Sequence, residues 1–330
     1  MILITGGAGF IGSNLLAGLE ARGETDLYVC DRLGTGDKWR NIAKREVAGI
    51  IEPENLFDFL KRSRVYTKLD AIFHMGAISA TTETDADLIA RTNLTLSHRL
   101  FDFCAENGIR FIYASSAATY GDGEAGFDDD PSIEGLAKLR PLNAYGWSKH
   151  VFDRRLARLV DDGAPLPRQT VGLKFFNVYG PNEYHKGSMR SVVTKLYPQL
   201  AAGEPARLFK SHHPDYADGG QMRDFVWVGD CVDAMLWFYD NPKVHGLYNM
   251  GTGQARSFAD LAKAVFAALG KDPKIDYFDT PEELRDKYQY FTQAEMGRLR
   301  AAGYTKEFTS LEEGIGRYVR DFLAADDPYL

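Results

Sequence analysis

A chain of 330 residues with 45% hydrophobic content is long enough to bury a large core, which excludes disorder and allows one large or two ordinary domains. Its formal net charge of -7 excludes a general binder of nucleic acid or polyanions, so any phosphate ligand has to be held by local groups. The first positive charge stands at Arg22, no apolar run reaches bilayer-crossing length, and Cys30, Cys104 and Cys231 are isolated thiols; the expectation is a cytoplasmic protein with no membrane partner and no disulfide framework.

The chain opens on a short apolar strand, Ile2 to Thr5, followed by Gly7-Ala-Gly-Phe-Ile-Gly12 and a helix over Phe10 to Arg22. Gly7, Gly9 and Gly12 fit the G-x-G-x-x-G dinucleotide fingerprint: a tight turn, close backbone approach to a pyrophosphate, and close packing of helix on strand. The helix N-terminus, with unpaired N–H groups and a favourable dipole, then receives the phosphates. A second strand, Leu27 to Asp31, ends on an acid placed to bond a ribose 2′-hydroxyl, which favours NAD. Arg32 beside it and Lys38 nearby offer the opposite choice, a 2′-phosphate.

Further strands at Asp70 to His74, Phe111 to Ser115 and Thr170 to Phe176 alternate with helices at Glu54 to Ser63, Ala86 to Asn107 and Ala144 to Leu159. This rhythm predicts an α/β fold with a Rossmann-type doubly wound parallel sheet. Ser115 and Ser116 end a strand at the edge where such sheets bind ligands, so that a hydroxyl there can bond a reacting alkoxide. Tyr145 and Lys149 stand four apart on the next helix and share a face. A phenol is a poor base at neutral pH, and a neighbouring ammonium is expected to favour its phenolate. Tyr239 and Lys243 repeat the spacing, but Pro242 lies between them and no regular helix turn joins them.

After Asn177 the rhythm breaks into a helix near Ser188 to Ala202, a polar segment at Ser211 to Gln221, a strand at Asp224 to Val228, a further segment at Leu247 to Gly253 and a C-terminal helix over Leu311 to Leu323. The expected division is a dinucleotide-binding domain of residues 1–177 plus about 224–245, and a smaller, discontinuous α/β substrate domain of about 178–223 plus 246–330. His212, His213, Asp215 and Asp218 read as an exposed polar loop, and no metal is expected.

Thr5-Gly-Gly-Ala-Gly-Phe-Ile-Gly12 with Ser116, Tyr145 and Lys149 resembles the extended short-chain dehydrogenase/reductase superfamily, whose members modify nucleotide-activated sugars. Its dehydratases carry an acidic pair where this chain has Ala117 and Ala118, which argues against water elimination. Phe73-His-Met-Gly-Ala-Ile-Ser-Ala-Thr-Thr-Glu83, Tyr113-Ala-Ser-Ser-Ala-Ala-Thr-Tyr-Gly121, Phe175-Phe-Asn-Val-Tyr-Gly-Pro181, His185-Lys-Gly-Ser-Met189 and Tyr288-Gln-Tyr-Phe-Thr-Gln-Ala294 resemble, more narrowly, the epimerases that invert C6 of an ADP-activated heptose in lipopolysaccharide precursor synthesis.

That resemblance implies an isomerase that oxidises the carbinol transiently to a ketone, lets it turn over by bond rotation, and reduces it again with a retained cofactor, NADP rather than NAD. Because rotation moves the oxygen, a second acid/base beside Tyr145 is needed, and the resemblance assigns it to Lys186; from the local sequence alone, Lys186 could equally pair with phosphate. His185 reads as a positioning or packing residue. By the same likeness Phe10, Ile11, Met75, Gly76, Ala77, Ile78, Ser79, Asn93 and Val178 contact the cofactor. Asn177, Ser188, Lys195, Phe209, Lys210, Ser211, Arg223 and Tyr288 contact the ADP-heptose substrate. Lys195 stands where the family pattern leads one to expect a histidine, and the stretch Ser211 to Met222 is longer than the usual loop. A homo-oligomer is expected. A UDP-hexose 4-epimerase, which would not need Lys186, and a non-catalytic NADP-binding scaffold are the competing readings.

Overall fold

The computed structural model describes residues 1–282 and 289–330. Seven parallel strands form the central sheet: β1 (Ile2–Thr5), β2 (Leu27–Cys30), β3 (Gly49–Ile51), β4 (Ala71–His74), β5 (Arg110–Ser116), β6 (Gln169–Phe175) and, further along the chain, Gly246–Met250. Their spatial order is β3-β2-β1-β4-β5-β6 followed by Gly246–Met250 at the edge. The direction of winding reverses between β1 and β4, which opens a crevice at the strand C-terminal ends. The strands are apolar on both faces because helices cover both: Leu15, Leu16, Val232 and Met235 belong to the cluster on one face, and Leu100, Phe101, Phe152 and Leu156 to that on the other.

The first helix, α1 (Phe10–Ala21), starts directly from the glycine turn. The long helix expected over Ala86 to Asn107 passes through a wide π-type turn at Ala90–Thr95 before α2 (Leu96–Asn107). The helix bearing Tyr145 and Lys149, α3 (Ala144–Asp161), is capped by Asn143, whose side chain accepts from the Gly146 N–H at 2.8 Å.

A smaller lobe adds β7 (Asn177–Tyr179), α4 (Val192–Ala201), β8 (Ala206–Phe209) and β9 (Met222–Trp227). After α5 (Val228–Asp240) the chain returns to the large sheet as β10 (Gly246–Met250), then forms β11 (Ala255–Ser257), α6 (Phe258–Ala268), β12 (Ile275–Phe278) and α7 (Leu311–Tyr318). The three-stranded sheet runs β11-β9-β7 and the two-stranded one β12-β8. Their own core gathers Tyr179, Val193, Leu196, Phe225, Trp227, Leu261, Val265 and Ile315.

Two placements differ from the expected division of the chain. The strand at 246–250, assigned by sequence to the second lobe, pairs in parallel with β6, Leu247 beside Gly172 and Asn249 beside Lys174. Conversely β9, expected in the dinucleotide lobe, pairs with β7 and β11. Both are pairing choices between segments distant in sequence, which composition and periodicity do not encode.

A candidate active site between two lobes

The glycine turn forms one end of a cleft of ≈ 750 Å³ lined by both lobes. At Gly12 an added Cβ would lie 2.2 Å from the Gly6 carbonyl oxygen, so only glycine lets α1 begin this close to the turn. Gly9 caps α1 without any side-chain hydrogen bond, and the first N–H groups of the helix face the cleft beside Gly9, Phe10, Ile11 and Gly12. Gly7 instead packs on Val29 of β2 and is not among the lining residues. An uncapped helix start with a wall of glycine backbone fits a dinucleotide pyrophosphate.

Asp31 follows β2, and its two oxygens are engaged by this chain: Oδ2 accepts from the Ala8 N–H at 3.0 Å, Oδ1 from the Arg32 N–H at 2.8 Å and from Lys38 Nζ at 2.6 Å. Asp31 and Lys38 line the cleft. Arg32 does not; its guanidinium pairs with Glu54 on the protein surface. Met75, Gly76, Ala77 and Ser79 form the adjoining wall. Ile78 and Asn93, expected beside the cofactor, are not among the residues that line the cleft. Asn93 is buried, accepts from the Ile78 N–H at 2.9 Å and donates to the Ile78 carbonyl at 2.9 Å, so its amide is spent on holding the loop.

Alternation along β5 separates the two serines. Ser115 donates to Asp153 at 2.7 Å, within a fully buried network in which Tyr113 also donates to Asp153 and Lys174 Nζ lies 3.1 Å from it. Ser116 carries its hydroxyl toward Tyr145, with which it hydrogen-bonds. Lys149, one turn along α3, is almost fully buried. The spacing predicts a lowered phenol pKa, and burial works the other way. Burial raises the Tyr145 pKa while the Ser116 hydrogen bond opposes the rise, and burial lowers Lys149 to about 8 with Asp153 opposing. Desolvation penalises the charged form of both groups and outweighs what their partners return.

From the smaller lobe, the short 3-10 turn Tyr184–Met189 brings Lys186 to the same cleft. Lys186 Nζ stands 5.3 Å from the centre of the Phe10 ring, an arrangement that favours a cation over a π-face. Burial lowers its pKa, Glu183 opposing and Lys195 adding to the fall. His185 has its Nδ1 3.1 Å from Asn41 Nδ2, and partial enclosure with Lys38 and Lys186 nearby lowers its pKa to about 4. It also lines the cleft, as a neutral neighbour.

Asn177, Val178, Ser188, Lys195 and Arg223 complete the predicted set that reaches the cleft. Arg223 on β9 lies over the Phe258 ring at 5.6 Å. Phe209, Lys210 and Ser211 are not among its lining residues. They close β8 against β12: Phe209 rests on the Phe278 ring at 4.8 Å, Lys210 pairs with Asp279 at 3.3 Å, and Ser211 donates its N–H to Asp218 at 2.8 Å within the polar loop. Tyr288 lies outside the described residues. Among the described residues no cluster of His, Cys, Asp and Glu could hold a metal, and no helix is long and apolar enough to cross a membrane.

Sequence reasoning missed Phe258 and Leu261, cleft residues on α6. The signal was present: Ser257 and Asp260 form a capping box, Ser257 accepting from the Asp260 N–H at 2.9 Å, and Leu261 and Val265 continue at helical spacing. It also missed Tyr179 and Phe225, whose strands β7 and β9 meet in the small sheet.

Residues 2–251 match the model of the NAD dependent epimerase/dehydratase family. Over 333 aligned positions the chain is 51% identical to the ADP-L-glycero-D-manno-heptose-6-epimerase of Nitratidesulfovibrio vulgaris, with all of both chains covered. The crystal structure of the Helicobacter pylori ADP-L-glycero-D-manno-heptose-6-epimerase superposes with a TM-score of 0.77 at 29% identity, covering 97% of this chain and 95% of that one. Thermus thermophilus UDP-glucose 4-epimerase in complex with NAD superposes with a TM-score of 0.71 at 26% identity, covering 96% of each. The glycine turn, the tyrosine and lysine on one helix, and this likeness along the whole chain agree: the chain belongs to the NAD dependent epimerase/dehydratase family, in the group of the ADP-L-glycero-D-manno-heptose-6-epimerases.

Proposed function

We infer that the chain interconverts ADP-D-glycero-D-manno-heptose and ADP-L-glycero-D-manno-heptose at C6, using a retained NADP and two acid/base groups, Tyr145 and Lys186. The observation that carries this reading is that one cleft receives Tyr145 from α3 of the large lobe and Lys186 from a turn of the smaller one. When bound, the nicotinamide supplies the hydride acceptor and donor that interconvert the C6 alcohol and ketone.

The rest belongs to the protein. Ser116 orients the C6 oxygen and stabilises the Tyr145 hydroxyl; Tyr145 holds the proton at one oxygen position and Lys186 at the other. Half a turn about the bond to the ring carries an exocyclic carbonyl oxygen about 2 Å to the other side of that bond, out of line with a donor fixed at its first position, so two groups on separate elements suit the stereochemical inversion. Lys149 supplies positive charge behind the phenol and a donor to the cofactor ribose. Arg223, with its planar fork of donors, suits the substrate diphosphate, and Asn177, Ser188 and Lys195 face the sugar.

NADP is favoured over NAD because Lys38 neutralises Asp31 and both Asp31 oxygens are already engaged, which leaves little for a ribose hydroxyl. Lys38 and, after release from Glu54, Arg32 would meet a 2′-phosphate. A cytoplasmic homo-oligomer remains the expected setting.

Incubation of the purified protein with ADP-D-glycero-D-manno-heptose, without added cofactor, should invert C6 as read by NMR. Lys186→Ala should cut turnover by about a hundredfold or more and still retain cofactor. Near-normal turnover by that variant would remove the second acid/base, and unchanged sugar from folded, cofactor-loaded protein would refute the activity.

A further inference from the structure

Glu183 is fully buried, yet its partners among the described residues are hydroxyls and one N–H, with no ammonium or guanidinium at bonding distance. Oε1 accepts from Ser191 Oγ at 2.6 Å, Thr194 Oγ1 at 2.6 Å and Tyr318 OH at 3.1 Å, and Oε2 accepts from the Ser191 N–H. These donors come from the start of α4 and from α7, so one carboxylate joins three segments of the smaller lobe. The same residue begins the turn that carries Lys186: its carbonyl accepts from the Lys186 N–H at 3.0 Å. A buried charge without a cationic partner costs stability that an apolar residue of similar size would not. On the cleft side the Glu183 charge acts on Lys186 and Lys195, opposing the fall that burial imposes on each.

We propose that Glu183 is the positioning residue for Lys186: its side chain fixes the Lys186 turn against α4 and α7 and holds a carboxylate at the start of that turn. This rests on the reading of Lys186 as the second acid/base. The other groups around that amine are Lys195 on α4 and the Phe10 ring on α1. His185 and Tyr184 share its turn, Lys38 and Asp31 lie beyond His185, and Arg190 lies beside Lys195. Thr194 and Tyr318 face Glu183 from behind. Glu183 is therefore the anion that opposes the fall of the Lys186 pKa.

The test is the pH profile of C6 epimerisation by the cofactor-loaded enzyme. Glu183→Gln should lower kcat at least tenfold with KM within twofold, and should move the limb governed by Lys186 to lower pH, because an ammonium that loses a nearby anion releases its proton more easily. Glu183→Asp, which keeps the charge, should return the limb to its original position. A limb that stays in place in Glu183→Gln overturns the proposal whatever happens to kcat, since a purely structural anchor would not move it. If Glu183→Gln does not fold, Thr194→Val and Tyr318→Phe each remove one donor to the carboxylate. Each should lower kcat without changing KM, and unchanged kcat in both overturns the proposal. Lys186→Ala separates the two readings: an active Lys186→Ala ends the acid/base assignment, whereas an inactive one beside an unmoved limb in Glu183→Gln ends only the positioning role.

Discussion

Lys149 and Tyr145 occupy one face of α3, and burial acts on each more strongly than they act on each other. Burial therefore favours the neutral phenol, and the Ser116 hydrogen bond works against that. Tyr145→Phe removes the proton carrier while keeping the ring; turnover should fall by about 10² to 10⁴, with the bound cofactor still seen by its absorbance in the purified protein. Wild-type turnover by this variant would move the chemistry elsewhere. Tyr145, Lys149 and Ser116 were legible in the sequence because each sits on a regular element whose period states its direction. Asn93 and Arg32 were not, since whether an amide or guanidinium faces a ligand or a neighbour depends on Ile78 and Glu54, partners that only folding supplies.

At the scale of elements, α3 aims Tyr145 and Lys149 at the cleft because its start is fixed twice. Asn143 caps it, and Gly146 lets it press on the turn after β5, where an added Cβ would come 2.6 Å from the Ala118 carbonyl oxygen. Gly146→Ala must push the helix start away, and we expect a loss of about 1 to 3 kcal/mol in stability together with a fall in kcat larger than the change in KM, measured by denaturant unfolding and steady-state kinetics. Unaltered kcat would show that the helix start tolerates displacement. Asp224 performs a comparable service in the smaller lobe. It is buried and accepts from the N–H groups of Thr252, Gly253 and Ala294 at 2.7, 2.9 and 3.0 Å, which ties the segment around Ala294 to β9 beside Arg223. Neither function is written in residue type alone: an aspartate next to an arginine reads equally as a surface pair.

At the scale of the whole molecule, both faces of a seven-stranded sheet are sealed, and the polar groups so enclosed give the fold a pH dependence. His74 at the end of β4 is buried between Thr5 Oγ1 at 2.7 Å and Ser97 Oγ at 2.8 Å, and burial, with Lys149 adding, lowers its pKa to about 3. A depressed folded-state value means that its contribution is present above the unfolded histidine pKa and is lost as pH falls through about 6.5 toward 3. His150, lowered by burial to about 4, has the same sign. Asp129, raised by burial to about 6, has the opposite one, its contribution being lost as pH rises through that value. At pH 5 the histidine effect amounts to about 2 kcal/mol for His74. His74→Gln should shrink the stability difference between pH 7.5 and pH 5 by that amount in denaturant titrations; an unchanged difference would mean that the ring is protonated in the folded state.

The sequence by itself determined the parallel α/β class, the glycine turn that opens α1 and the approach of Ser116, Tyr145 and Lys149 to one cleft, because these depend on local period, on glycine conformation and on residues within one or two elements. The tertiary structure alone decided that β10 joins the large sheet while β9 leaves it. It also left Phe209, Lys210 and Ser211 outside the residues that line the cleft, brought Phe258 and Leu261 of α6 into it, and buried Glu183 at the start of the Lys186 turn. Those outcomes turn on pairings between segments far apart in the chain and on how much water each side chain loses, and neither quantity is carried by any short stretch of residues.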